Sequence, residues 1–98
     1  MEIEYKNNKI RKICTDASFV QKKHGLPMAE IIHQRIDEIT AAESVEEMIK
    51  YRIGNCHRLK GNRKNQYAVD LIQPFRLVFK RKEYNIQIAY IIEIIDYH

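Results

Sequence analysis

Apolar residues recur every three to four positions in the first half of the chain and every two in the second half. From Lys9 onward Ile10, Ile13, Cys14 and Ala17 fall at i, i+3, i+4 and i+7, which predicts an amphipathic helix. Asp16 and Ser18 restart a helix that Phe19 and Val20 pack, and Gly25 is its natural stop. Pro27 suits the first turn of the next helix, where Met28, Ile31, Ile32, Ile36 and Ile39 repeat at helical spacing. Ser44 followed by Glu47 is a capping-box pattern that opens a short turn of helix from Val45 to Ile49. Ahead of all these, Ile3 and Tyr5 alternate as in a short opening strand.

Beyond Gly54 the chain reads as strands. Cys56 to Leu59 can pair, Gly61-Asn62 is a turn signal, and Tyr67, Val69 and Leu71 alternate with Ala68, Asp70 and Ile72. Gln73-Pro74 breaks the run, and Phe75, Leu77 and Phe79 then alternate with Arg76, Val78 and Lys80. In the last run Tyr84, Ile86, Ile88, Tyr90, Ile92 and Ile94 fall on one face, with Ala89, Ile91 and Ile95 on the other. Both faces being apolar near its end predicts a central strand or a bulge. The order predicts a single α+β domain over residues 1–98, with two or three N-terminal helices packed on one face of a small, mostly antiparallel sheet. The other face, carrying Arg, Lys, His and Tyr, is expected to stay free for a partner.

Composition narrows the class. The chain has 98 residues, 45% apolar and 31% charged with 3 Gly and 2 Pro, which excludes a disordered or low-complexity protein and leaves room for one core. The apolar runs at 88–92 and 94–95 are broken by Glu93, whereas a membrane span needs ~20 apolar residues. Residues 1–12 contain no apolar leader segment. A soluble cytoplasmic protein with no membrane partner is expected. Cys14 and Cys56 have no metal-spaced partners and are expected to be buried free thiols, with no metal and no cofactor implied.

The net charge of +4 hides an asymmetry. Residues 50–82 carry ten basic side chains against Asp70 alone, while both flanking segments are acidic overall. Such a stretch is the electrostatic footprint of a surface that meets phosphates. Cleaving RNA through the ribose 2′-OH needs a base for the 2′ proton, an acid for the leaving 5′ oxygen and cations for the phosphate. Histidine suits both proton roles, its unperturbed pKa being ~6.5. Arg and Lys suit the phosphate, Arg in bidentate fashion, and no metal is required. His57, Lys60, Arg76 and the C-terminal Asp96, Tyr97 and His98 offer this set. If the phenylalanines of 75–79 face the helices, Arg76 faces outward.

The run Cys56-His57-Arg58-Leu59-Lys60-Gly61, then Phe75-Arg76-Leu77-Val78-Phe79, then the ending Ile94-Ile95-Asp96-Tyr97-His98 resemble the HigB-like toxins of the RelE/ParE superfamily. The resemblance covers residues ~55–98 in order and spacing, and the earlier helices in pattern only. It implies a compact microbial RNase fold and a type II toxin that cleaves messenger RNA in the ribosomal A site. It also implies a HigA-like helix-turn-helix antitoxin, through which alone the toxin would meet operator DNA. By motif position, His57, Lys60, Arg76, Asp96, Tyr97 and His98 would be catalytic. Arg58, Arg63, Lys64, Tyr67, Lys80, Arg81 and Lys82 are expected to hold RNA or ribosome. Many relatives have Pro where this chain has Arg58, Trp-Ser where it has Tyr67-Ala68, and Trp where it has Phe75; aromatic character at 67 and 75 allows packing or base stacking. The alternative is a ParE-like inhibitor of DNA gyrase without nuclease chemistry, since one superfamily fold serves both functions.

Overall fold

The computed structural model describes residues 1–96, so Tyr97 and His98, both expected in the site, lie outside the described residues. A short strand, β1 (Glu2–Tyr5), leads into α1 (Asn8–Thr15) and α2 (Ala17–His24). The two helices are separate because of Asp16. Its backbone N–H closes α1 on the Lys12 carbonyl, while its side chain accepts from the Phe19 amide and caps α2. Gly25, at φ +86°, turns the chain into α3 (Leu26–Ala41), with Pro27 in the first turn. Ser44 Oγ accepts from the Glu47 amide at 3.0 Å and starts α4 (Val45–Lys50). Four helices form among the described residues, more than the two or three expected, because the Asp16 break and the Ser44 cap each define an element of its own.

A 3₁₀ turn (Ile53–Asn55) then delivers the chain to β2 (His57–Arg58), β3 (Gln66–Asp70), β4 (Phe75–Glu83) and β5 (Gln87–Asp96). The sheet order is β1-β5-β4-β3-β2, antiparallel except for the parallel pairing of β1 with β5. The α+β class and the mostly antiparallel sheet are as the sequence predicts.

One face of the sheet is covered by the helices. Val69, Leu77, Phe79 and Ile91 from the strands pack with Val20, Ile32, Ile39, Val45 and Met48 from the helices, all essentially inaccessible to water. Each such side chain contributes on the order of 1.5–3 kcal/mol by burial, so this layer holds the fold. Cys14 and Cys56 sit in it as free thiols, and burial pushes both up to about 12.

The opposite face departs from expectation. A strip of Leu59, Ala68 and Val78, joined by Ile92 and Ile95, runs across its middle between the charged side chains. The register explains the strip, since Ala68 pairs with Val78 and their side chains lie side by side on one face. Strand β5 also breaks strict alternation. Val78 pairs with Glu93 but Phe79 pairs with Ile91, leaving Ile92 as the extra residue of a bulge. Ile91 and Ile94 therefore both pack on the core while Ile92 and Ile95 join the outer strip, so Tyr84 to Ile94 do not share a face as the alternation alone predicts. Tyr84 and Ile86 are exposed at the β4–β5 turn. Among the described residues no helix is long and apolar enough to cross a membrane.

Candidate functional site

Three backbone decisions place His57. Arg52, Gly54 and Asn55 adopt positive φ values of 54°, 59° and 53°, which coil the chain sharply ahead of the two-residue strand β2. Gly54 is required twice over. Its backbone is left-handed, and a Cβ there would lie 2.9 Å from Arg35 Cδ and 3.2 Å from Val69 Cβ. Arg35, from α3, passes through that gap to donate from Nε to the Asp70 carbonyl at 2.6 Å, tying α3 to the end of β3.

His57 pairs with Ala68 across β2–β3, and Ala68 with Val78 across β3–β4, so the imidazole stands on the outer face. Its Nδ1 is 2.9 Å from the Asn55 carbonyl oxygen. A carbonyl only accepts, so Nδ1 carries a proton, and in the neutral ring the lone pair is on Nε2. That nitrogen faces Arg76 Nη1 at 3.4 Å. Arg76 faces outward as the sequence predicts, with Leu77 and Phe79 on the core side. Its Nε lies 3.3 Å from Asp70 Oδ1, both atoms being sealed from solvent. Asp70 Oδ2 in turn accepts from Asn55 Nδ2 at 3.1 Å. The register puts Arg76 opposite Ile95 and Phe75 opposite Asp96, so Asp96 ends β5 one pair away from the arginine and, with Phe75, on the other parity of the sheet from it.

The arrangement sets the Nε2 lone pair of an imidazole against a guanidinium, on the side of the sheet that no helix covers among the described residues. It can accept a proton and hold an anion at adjacent points.

The remaining predicted residues are distributed unevenly. Arg58 is exposed on β2, Lys60 and Lys64 are exposed between β2 and β3, and Lys80 is exposed on β4. Arg63 donates to Glu93 at 2.8 Å and to Gln66 at 3.2 Å. Arg81 pairs with Glu46, and Lys82 sits 3.8 Å from the centre of the Tyr90 ring and 3.5 Å from Glu4. Lys80 to Lys82 lie four to six residues along β4 from Arg76, roughly 13–20 Å away at strand rise, and so are not part of the same cluster. Tyr67 must be corrected. It is 4% exposed, stacked on Phe79 at 5.9 Å between ring centres, with Arg81 over it, and so offers no face to a base. Phe75 is likewise half-buried against the core, so packing rather than stacking on RNA accounts for both aromatics.

Asp70, Asn55 and Glu93 were not among the expected site residues. Asp70 could have been found, as the single acid in the basic stretch 50–82, whereas Asn55 enters through a left-handed turn that spacing does not reveal. A groove of about 450 Å³ lies on the helical side, lined among others by Ile10, Ile13, Phe19, Met28 and Ile32, and touches neither His57 nor Arg76.

The fold is found among solved structures. The YoeB/ParE toxin from Agrobacterium tumefaciens superposes with a TM-score of 0.58 over 100% of this chain and 99% of that one, at 15% sequence identity. The chain thus shares the overall fold of that toxin. No protein-family profile matches the sequence, and no curated protein matches it.

Proposed function

We propose that the protein is the toxin of a type II toxin–antitoxin pair, of the HigB-like kind, and acts as a ribosome-dependent mRNA endonuclease. The observation that carries the reading is the His57–Arg76 pair, with Nδ1 of the histidine engaged by the Asn55 carbonyl and Nε2 turned to the guanidinium. The toxin fold over the whole chain supports the setting.

In this reading His57 Nε2 accepts the 2′-OH proton. The 2′ oxygen bonds to phosphorus, the bond from phosphorus to the 5′ oxygen breaks, and the products are a 2′,3′-cyclic phosphate and a 5′-hydroxyl. Arg76 and Lys60 stabilise the charge that builds on the phosphate oxygens. The acid that protonates the leaving oxygen comes from the C-terminal group Asp96, Tyr97 and His98. Arg58, Lys64 and Lys80 contact RNA from exposed positions; Arg63, Arg81 and Lys82 already have carboxylate partners and contribute less. A HigA-like helix-turn-helix antitoxin neutralises the toxin and links it to operator DNA.

The test is to map mRNA 5′ ends after incubating the purified protein with programmed ribosomes, beside His57→Ala, His98→Ala and ribosome-free controls. Cuts inside the A-site codon that need the ribosome and both histidines are expected. Uncut mRNA from a folded, growth-inhibiting protein would overturn the reading and direct attention to gyrase.

A further inference from the structure

Four residues around the proposed nuclease site form a closed ring of polar contacts. Asp70 Oδ1 meets Arg76 Nε at 3.3 Å, Arg76 Nη1 meets His57 Nε2 at 3.4 Å, and His57 Nδ1 meets the Asn55 carbonyl at 2.9 Å. Asn55 Nδ2 returns to Asp70 Oδ2 at 3.1 Å. Two members have the chemistry of the reaction. The other two contact those members and each other, and Asp70 is the sole carboxylate in a stretch of ten cations.

We propose that Asp70 and Asn55 are positioning residues, Asp70 aiming the Arg76 guanidinium and Asn55 fixing the ring orientation and tautomer of His57. The inference rests on the nuclease reading for its purpose, but its geometry stands apart from it.

Each half follows from the bonding. An arginine that binds phosphate works best when its plane is set beforehand, and a contact from a carboxylate to Nε sets that plane. The contact is sheltered, because Asp70 Oδ1 and Arg76 Nε have no exposure to water, so it is weakly screened. For histidine, a proton held on Nδ1 by a carbonyl leaves Nε2 as the acceptor, which is the form a base requires. The carbonyl doing this belongs to a residue at φ 53°, a conformation that Asn tolerates better than most and that its side-chain bond to Asp70 helps to hold. Arg35 anchors the same carboxylate's backbone to α3 at 2.6 Å, so the ring is referred to the core and not to a loose loop.

Two full-length variants test this. Asp70→Asn removes the charge facing Arg76 with little change of shape. Asn55→Gly keeps the left-handed backbone available and deletes the amide that reaches Asp70. Each is expected to stay folded and keep ribosome affinity, Asp70→Asn at a lower unfolding midpoint because Arg76 loses its sheltered counter-charge, while single-turnover cleavage falls about 10–100-fold, the effect of a misplaced reacting group. Nitrogen-15 spectra of the imidazoles, with His57 assigned by His57→Gln, should show the Nδ1–H tautomer in the wild type and a mixture in Asn55→Gly. A folded Asn55→Gly that retains the wild-type tautomer, or cleavage within twofold of wild type in both variants, would overturn the proposal. If the wild type cleaves nothing, the nuclease reading fails alone, and the imidazole spectra still decide whether Asn55 sets the tautomer. If Asp70→Asn does not fold, Asn55→Gly carries both measurements.

Discussion

Strand β4 shows both faces of the sheet within five residues. Leu77 and Phe79 point into the helical layer and are fully buried, while Arg76 and Lys80 point the other way, to the side no helix covers. The helical side is a continuous apolar layer fed by every helix. The other side has a narrow apolar strip, and around it Asp70, Arg76, Arg63, Glu93, Lys82 and Glu4 are held by contacts with one another. Stability therefore comes mainly from one face, and the reactive groups are gathered on the other. Substitutions that are neighbours in sequence should separate the two properties.

Phe79→Ala is the most damaging test of that separation. It deletes a large side chain with no exposure and leaves a cavity beside Tyr67, costing about 3–5 kcal/mol of stability. Urea unfolding should show the loss. A shift below about 1 kcal/mol would mean the helical layer does not hold the fold. His57→Ala is the counterpart on the other face. Cleavage on programmed ribosomes should fall about 10²–10⁴-fold, as expected for losing a general base, while the urea midpoint stays near wild type.

The division was largely legible beforehand, because period 3.6 and period 2 are written into Ile10 to Ile39 and Tyr67 to Phe79. The outward direction of Arg76 followed from the same alternation. What was not legible involves residues whose neighbours are distant in sequence. The bulge at Ile92 reverses the parity of β5, and nothing local in a run of isoleucines marks where it falls. Of the two roles open to the Tyr67 ring, packing or stacking on a base, its pairing with the core residue Phe79 gives it packing. Asn55 and Asp70 join the site through a turn and a register, neither of which leaves a spacing motif.

A milder probe of the buried side is pH. Cys14 and Cys56 are both pushed up to about 12 by burial, from an ordinary value of 9.0. Between those values the unfolded chain loses thiol protons that the folded chain keeps, so stability falls as pH rises and the full contribution is present only below about 9. By about pH 10.5 the loss is on the order of 2 kcal/mol per thiol. Cys14→Ala/Cys56→Ala should flatten the alkaline limb of a stability–pH curve. An unchanged limb would show that the thiols are not shielded in this way. Below pH 9, thiol reagents should label the folded protein slowly and the urea-unfolded protein at once.

The smallest effect is expected where α4 meets the turn end of the β4–β5 hairpin, at the exposed Glu46. Gln87 bridges the two elements, accepting from the Val45 amide at 3.0 Å and donating to Glu46 at 3.0 Å. That donated bond holds the Glu46 carboxyl below the usual carboxylate range, with its own backbone amide and then Arg81 adding to the effect. A lowered carboxylate gives stability that is present above its unfolded value and is lost as pH falls through the folded one. Because Glu46 is well exposed, water screens the pair and only a few tenths of a kcal/mol are expected. Glu46→Gln should thus leave the neutral-pH midpoint nearly unchanged and slightly flatten the acid limb. Cleavage should be untouched, since Glu46 sits at the end of the sheet away from His57. A large loss of activity in Glu46→Gln would mean that the hairpin carrying Arg81 and Lys82 takes part in the reaction, and that the two faces are not as separate as their packing implies.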